Sequence, residues 1–210
     1  MHKFTIIATD YEHWIPRDSM AAGIQSILDQ TYKDYELLVI HDGPKEIPYE
    51  DEFNFSQFGD RVKFLNTPER MNNWGHSSRD LGLRNATGEY ILHFNIDNYL
   101  YKDCLSILAQ KIDKENVPVI IFTIKHFGHF QGRGEYPWTG LPPVWGRIDA
   151  LQLVAKLSVW ESIGYWHDLR KDSDGYLYEE ITSKYTYDHI PQILAENHDS
   201  DTIGRKLNNV

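Results

Sequence analysis

Five short β-branched runs, separated by segments of helical periodicity, constrain this chain more than any other feature. Phe4-Thr5-Ile6-Ile7-Ala8, Leu37-Leu38-Val39-Ile40, Arg61-Val62-Lys63-Phe64-Leu65, Tyr90 to Phe94 and Val117 to Ile124 read as strands, most of them apolar enough to be buried on both faces. Between them, Met20, Ile24, Ile27 and Leu28 recur at helical spacing after Pro16, and Ser77 to Asn85 is a second helical stretch. Leu105, Leu108 and Ile112 make a third, with Asp103 at its cap. Strands alternating with helices predict an α/β fold: a mostly parallel central sheet flanked by helices. In such sheets ligands bind outside the carboxyl ends of the strands. Thr9-Asp10-Tyr11, His41-Asp42 and Asn95-Ile96-Asp97 each follow a strand, so all three are expected to face one crevice. After His126 the character changes, with Gly, Pro, His and Trp dense through His126-Phe127-Gly128-His129 and Pro137-Trp138-Thr139-Gly140. That part is expected to be an irregular C-terminal lobe of the same domain, lying over the sheet edge.

Charge and cysteine content narrow the function. Lys and Arg total 21 against 31 acidic residues, a net charge of -10, which disfavours nucleic acid as a partner. A single cysteine, Cys104, excludes an internal disulfide and a multi-cysteine zinc site. No run reaches the roughly 18 apolar residues of a membrane span, and Met1-His2-Lys3-Phe4 leads directly into a strand without a signal-peptide pattern. The expectation is a soluble, cytoplasmic protein with no membrane span.

Several segments together resemble the inverting glycosyltransferases of family 2, which have the GT-A (Rossmann-like) fold. Thr9-Asp10-Tyr11 stands at that family's first nucleotide-contacting turn, and Ile24 to Leu37 is similar to its helix and second strand. Val39-Ile40-His41-Asp42-Gly43 resembles its strand-end pair of aspartates, with His41 replacing the first. Gly75 through Arg79-Asp80-Leu81-Gly82-Leu83, then Ala86-Thr87-Gly88-Glu89-Tyr90-Ile91, resembles the stretch leading to its metal motif. The likeness is good over about the first 100 residues, which would bind the nucleotide-sugar; residues 101–210 would form the acceptor and catalytic half of a single domain.

The resemblance implies a role for each position. Thr9, Tyr11 and Asp42 would contact the uridine of a UDP-sugar, Asp42 accepting from the base and Tyr11 stacking on it, with Asp10 among the nucleotide-sugar-binding residues; the plain rival for Asp42 is a turn-former ahead of Gly43. Arg79 would pair with the diphosphate. Asn95-Ile96-Asp97 replaces the Asp-x-Asp motif, with Asn95 and Ile96 on the nucleotide-sugar and Asp97 as metal ligand. The cofactor would be a divalent cation, Mn²⁺ rather than Mg²⁺ if His198, in Ala195-Glu196-Asn197-His198, completes the shell. Trp160-Glu161-Ser162-Ile163-Gly164-Tyr165-Trp166 resembles the acceptor-side segment, followed by Asp172 and Asp174. An inverting transfer needs a carboxylate to take the acceptor hydroxyl's proton; Asp174, ahead of a helix expected from Tyr176 to Tyr185, is the first choice and Asp172 the fallback. His126, His129, Trp138 and Trp145 are candidates for the acceptor groove, with core or lid packing as the alternative for each.

The function so implied is transfer of a sugar from a nucleotide-diphosphate donor to a hydroxyl of a glycan or other acceptor. A sugar-nucleotide nucleotidyltransferase would show a Gly-rich loop after the first strand, which Thr9-Asp10-Tyr11-Glu12-His13-Trp14 lacks. A non-catalytic sugar-nucleotide or glycan-binding module is the other alternative, kept open by His41 and Asn95.

Overall fold

The computed structural model describes residues 3–10, 17–45, 56–127 and 135–198. Tyr11, His129 and most of the loop expected over residues 45–60 lie outside the described residues. Among the described residues nine strands form one sheet: β1 (Phe4–Asp10), β2 (Tyr35–His41), β3 (Val62–Asn66), β4 (Tyr90–Asn95), β5 (Tyr99–Leu100), β6 (Val119–Phe127), β7 (Tyr136–Trp138), β8 (Leu153–Lys156) and β9 (Tyr187–His198). Their order is β3-β2-β1-β4-β8-β6-β9-β5, with β7 on β6. β3, β2, β1 and β4 are mutually parallel, and β6 is parallel to β9. Only the short β5, β7 and β8 run against their neighbours, so the mostly parallel sheet expected of the sequence is present.

Alternation along β1 divides the core. Phe4, Ile6 and Ala8 face one side, packed with Met20, Ile24 and Ile27 of α1 (Arg17–Leu28) and Leu105, Leu108 and Ile112 of α3 (Cys104–Glu115). Ile7, with Leu38, Ile40 and Ile91, faces the other side, covered by Leu83 of α2 (His76–Asn85), Trp160 of α4 (Leu157–Ser162) and Leu177, Tyr178 and Ile181 of α5 (Ser173–Lys184). Burial of both faces is why the strands are continuous apolar runs rather than alternating ones. Gly82 lets α2 lie against the sheet: a Cβ there would sit 2.5 Å from Ile7 Cγ2 and 2.9 Å from Ile40 Cδ1.

Several boundaries differ from the sequence expectation. β1 and β2 continue to Asp10 and His41, because parallel pairing of Asp10 with His41 extends the ladder past the apolar run. α5 begins at Ser173 rather than Tyr176, which puts Asp174 inside its first turn. Asp103 occupies the N-cap of α3 but makes no side-chain cap bond; its Oδ1 accepts from Thr31 Oγ1 at 2.9 Å instead. Among the described residues no helix is long and apolar enough to cross a membrane.

Candidate active site

The parallel register brings the three strand ends to one edge. Thr9 is paired with Ile40 on one side and Asn95 on the other, and Asp10 with His41. Thr9, Asp10, His41 and Asp42 are all buried. Asp42 braces a neighbouring loop: its Oδ1 accepts the Met71 amide and its Oδ2 the Asn72 amide, each at 2.9 Å, and Thr67 Oγ1 donates at 3.3 Å. His41 donates from Nδ1 to the Gly43 carbonyl at 2.7 Å, tightening the turn that follows. Ile96 corrects the sequence reading. Its side chain is fully buried in the α1–α3 face of the core, so it reaches no ligand, because the middle residue of this turn points into the sheet layer.

Arg79, from α2, enters this edge as a buried cation. Its Nη1 donates to the Trp74 carbonyl (2.8 Å) and its Nη2 to Asn95 Oδ1 (2.6 Å), while Nε finds no partner and no ion pair forms among the described residues. The guanidinium lies 5.0 Å over the ring of Trp166. Burial pulls its proton affinity down, and the field of Asp174 leads the effects that oppose this. The loop that feeds α2 is strained: Asn72 (φ 51°) and Trp74 (φ 56°) occupy the left-handed region that non-glycine residues seldom adopt. Such strain persists where surrounding contacts enforce it, here the Asp42 carboxylate and Arg79. It leaves the Trp74 side chain 59% exposed.

Arg79 and Asn95 open into a cavity of about 180 Å³, lined also by Trp74, His76, Asp149, Ala150, Asp172 and Asp174. Arg79 and Asn95 thus meet Asp172 and Asp174, residues far apart in the chain. Asp174 is half-buried in the first turn of α5, and Asp172, at the N-cap, is exposed with φ 57°. Burial pushes the Asp174 carboxyl up to about 6; the negative charge of Asp149 adds to this, and Arg79 and the Gly175 amide oppose it. A carboxyl with that affinity is ionised at neutral pH yet a better base than an ordinary aspartate. Its helix is fixed by Tyr178, one turn on, whose hydroxyl donates to the Ala150 carbonyl at 2.7 Å. Ser173, fully buried, accepts from Trp166 Nε1 at 3.1 Å and lies 3.3 Å from His76 Nε2. His76 stacks on Trp166, and burial together with Arg79 lowers its pKa to about 4, so it is neutral at pH 7.

Asp149, His76 and Trp74 were not legible as site residues. Asp149-Ala150-Leu151-Gln152 carries a sequence signal, but it is that of a capping box, and the box is there: Asp149 Oδ1 accepts the Leu151 amide at 2.9 Å and Gln152 Oε1 accepts the Asp149 amide at 3.1 Å.

A second cluster adjoins the edge. Two residues beyond the β5–β9 pair Tyr99↔Glu196 lie Asp97 and His198, and the His198 amide donates to Asn98 Oδ1 at 3.2 Å. The His198 ring is buried, stacked on Phe127 (4.5 Å between centroids), with Nε2 2.7 Å from Glu196 Oε2 and Nδ1 without a partner. A histidine whose one nitrogen is held by a carboxylate while the other keeps a bare lone pair is arranged as metal ligands are. Asp97, which the antiparallel register sets opposite His198, is half-buried. Among the described residues no group of three or more His, Cys, Asp or Glu side chains could hold an ion by itself. A cation here would therefore need ligands from a bound molecule, the usual way Mg²⁺ is held on phosphates.

The acceptor candidates separate. His126 is buried against Tyr136 (5.4 Å) and Trp138 (5.2 Å) of β7, which fits the core-packing alternative for it. Trp138 packs on the core, and its Nε1 bonds the Arg147 carbonyl. Trp145 is 52% exposed and stacks on Tyr176 of α5 (6.1 Å), whose far face carries the Arg170 guanidinium (4.4 Å). Gly175 allows this approach, since a Cβ would lie 2.6 Å from Trp145 Cα.

Comparison with known proteins places this architecture. Residues 7–168 match the family model for glycosyl transferase family 2. An uncharacterized glycosyltransferase of Rickettsia felis is 28% identical over 113 residues, covering 54% of this chain and 18% of the relative. Glycosyltransferase GlyA of Streptococcus pneumoniae is 27% identical over 109 residues, 52% of this chain and 15% of the relative. The chain therefore spans less than a fifth of these relatives' lengths. The crystal structure of S. aureus TarS 1-349 superposes with a TM-score of 0.74 at 15% identity, covering 98% of this chain and 64% of that one. Mannosyltransferase PcManGT from Pyrobaculum calidifontis, in complex with GDP-Man and Mn²⁺, superposes with 0.69 at 13% identity, covering 93% and 56%. The fold is GT-A, and with most of its length inside the family model the chain belongs to glycosyl transferase family 2.

Proposed function

We propose that the chain transfers a sugar from a UDP-sugar to a hydroxyl of a glycan or other acceptor, with inversion at the anomeric carbon and with the help of a divalent cation. The observation that carries this reading is a cavity at the carboxyl edge of the sheet in which a buried arginine, without an ion pair among the described residues, meets an aspartate of raised proton affinity. The nucleotide would lie along Thr9, Asp10, Tyr11 and the Asp42-braced loop, with its diphosphate on Arg79, where charge-assisted bonds to phosphate are strongest. Asn95 holds Arg79 toward it. Asp174 takes the proton of the acceptor hydroxyl as the oxygen attacks the anomeric carbon. The bond to the diphosphate breaks with its electron pair on the leaving oxygen, and one displacement inverts the configuration. Trp145, with Tyr176 stacked against it, offers the acceptor an exposed aromatic surface; Trp138 and His129 are further acceptor candidates, the latter outside the described residues. Asp172 sits at the cavity mouth as the alternative base.

Asp97 and His198 Nδ1 would hold the cation, which when bound offsets charge on the departing diphosphate. A nitrogen ligand favours Mn²⁺ over Mg²⁺. Support for uridine comes from TarS, whose 1-349 fragment has structures in complex with UDP and with UDP-GlcNAc, and support for Mn²⁺ from the PcManGT complex.

The test is incubation with UDP- and GDP-sugars, with Mn²⁺, Mg²⁺ or EDTA, following release of the nucleotide and the product's anomeric configuration by NMR. Turnover of a UDP-sugar that EDTA abolishes and Mn²⁺ restores, with an inverted product, is expected; Asp97→Ala should lose the Mn²⁺ response. Turnover indifferent to EDTA would remove the metal role, and a retained configuration would remove Asp174 as the base of a single displacement.

A further inference from the structure

We propose that Asp149 is a positioning residue for the transfer: a fixed second negative charge that faces Asp174 across the cavity and strengthens it as a base. The inference rests on the reading of Asp174 as the base. Both carboxylates line the same small cavity, although they arrive from different elements. Asp149 stands at the head of the Ala150–Gln152 turn, and both its oxygens are committed: Oδ1 to the Leu151 amide and Oδ2 to Asn197 Nδ2, at 2.9 and 2.8 Å. It cannot swing away from Asp174, and Tyr178 ties α5 to the adjoining Ala150 carbonyl, so neither partner of the pair can retreat.

A carboxylate acting as cap alone gains nothing from facing a cavity. Here its charge is felt by Asp174, Arg79 and Tyr178 alike. The groups facing Asp174 are Asp149 from the turn, Arg79 and His76 from α2, and Asp172 and Tyr178 from its own segment. Arg79 favours the ionised form, and His76 is neutral. Like charge in a partly dehydrated cavity favours the proton-bound form, so Asp149 is the outside group that offsets Arg79. Without it Asp174 would be held by the arginine as a poorer base.

The experiment compares wild type with Asp149→Asn, and with Asp149→Ser, which keeps a capping oxygen and covers the case in which the amide variant folds poorly. The Asp174 carboxyl is titrated by ¹³C NMR, its resonance assigned by its loss in Asp174→Asn, and kcat/KM is measured from pH 4.5 to 8. Removal of the charge should lower the Asp174 titration midpoint and move the acid limb of kcat/KM down with it, so that the fraction of plateau activity retained at pH 5 is about threefold or more larger in the variant than in wild type. Asn197→Ala, which keeps both the charge and the Leu151 amide bond that holds Asp149 Oδ1, should leave the midpoint near its wild-type value. An unchanged Asp174 midpoint in both Asp149 variants would overturn the proposal. A lowered midpoint without a moved acid limb would support the charge coupling and instead sink Asp174 as the base.

Discussion

Replacing Asp174 with Asn should make the protein more stable while removing its activity. Burial holds this carboxyl near 6, against an ordinary value of 3.8. The unfolded chain releases the Asp174 proton from about pH 4 upward, whereas the folded protein keeps it until about pH 6. Between those values the folded state binds more protons, so this group's contribution to stability falls as pH rises, and above about pH 6 the full penalty remains. The rise corresponds to at most about 3 kcal/mol at roughly 1.4 kcal/mol per tenfold, and screening by water at a half-buried site reduces this to about 1–2 kcal/mol. In a domain of this size each kcal/mol moves the melting temperature by about 2–4 °C, so Asp174→Asn should melt about 2–8 °C higher at pH 8. Scanning calorimetry of both proteins at pH 4, 5, 6 and 8 is the assay. Their melting temperatures should converge near pH 4, part between pH 4 and 6 and stay parallel above. The same substitution should lower kcat by about 10²-fold or more. A variant that melts lower at pH 8, or a gap that does not change with pH, would refute the account of Asp174 as a carboxylate held against its preference. Wild-type turnover in the variant would refute its role as base.

Asn95→Asp puts a carboxylate where Arg79 Nη2 already donates at 2.6 Å. The new charge should be spent on Arg79, weakening UDP binding several-fold by calorimetric titration while Mn²⁺ affinity stays within about threefold; a marked gain in Mn²⁺ affinity would mean that residue 95 faces the cation. Gly82→Ala should destabilise by about 1–3 kcal/mol through forced overpacking, because Ile7 and Ile40 are fully buried and cannot make room. Urea unfolding measures this, and an unchanged midpoint would mean that α2 can lift from the sheet.

The local pattern of the chain determined the sheet. Apolar runs such as Leu37 to Ile40 can be satisfied only by burial on both faces, and their alternation with helix-spaced stretches admits a parallel arrangement whose carboxyl ends share an edge. Thr9, Asp42 and Asn95 stood out for that reason: each lies at or just past the end of a strand, where a polar residue follows an apolar run; Arg79, in the first turns of α2, was singled out only by the family resemblance. Ile96 was misread because position in a motif does not say which way a side chain points, and the sheet layer claims it. For His126 the sequence left groove and core packing open, because the three-residue strand β7 that packs on it is too short to leave a periodic signal. The site itself was a matter of tertiary structure. Asp149 reads locally as a helix cap and is one; what makes it more is the approach of α5, set by the Tyr178 bond to Ala150, which puts a second carboxylate beside it. Proton affinity and charge coupling depend on distance and water exclusion through space, and neither quantity is written in the order of residues along the chain.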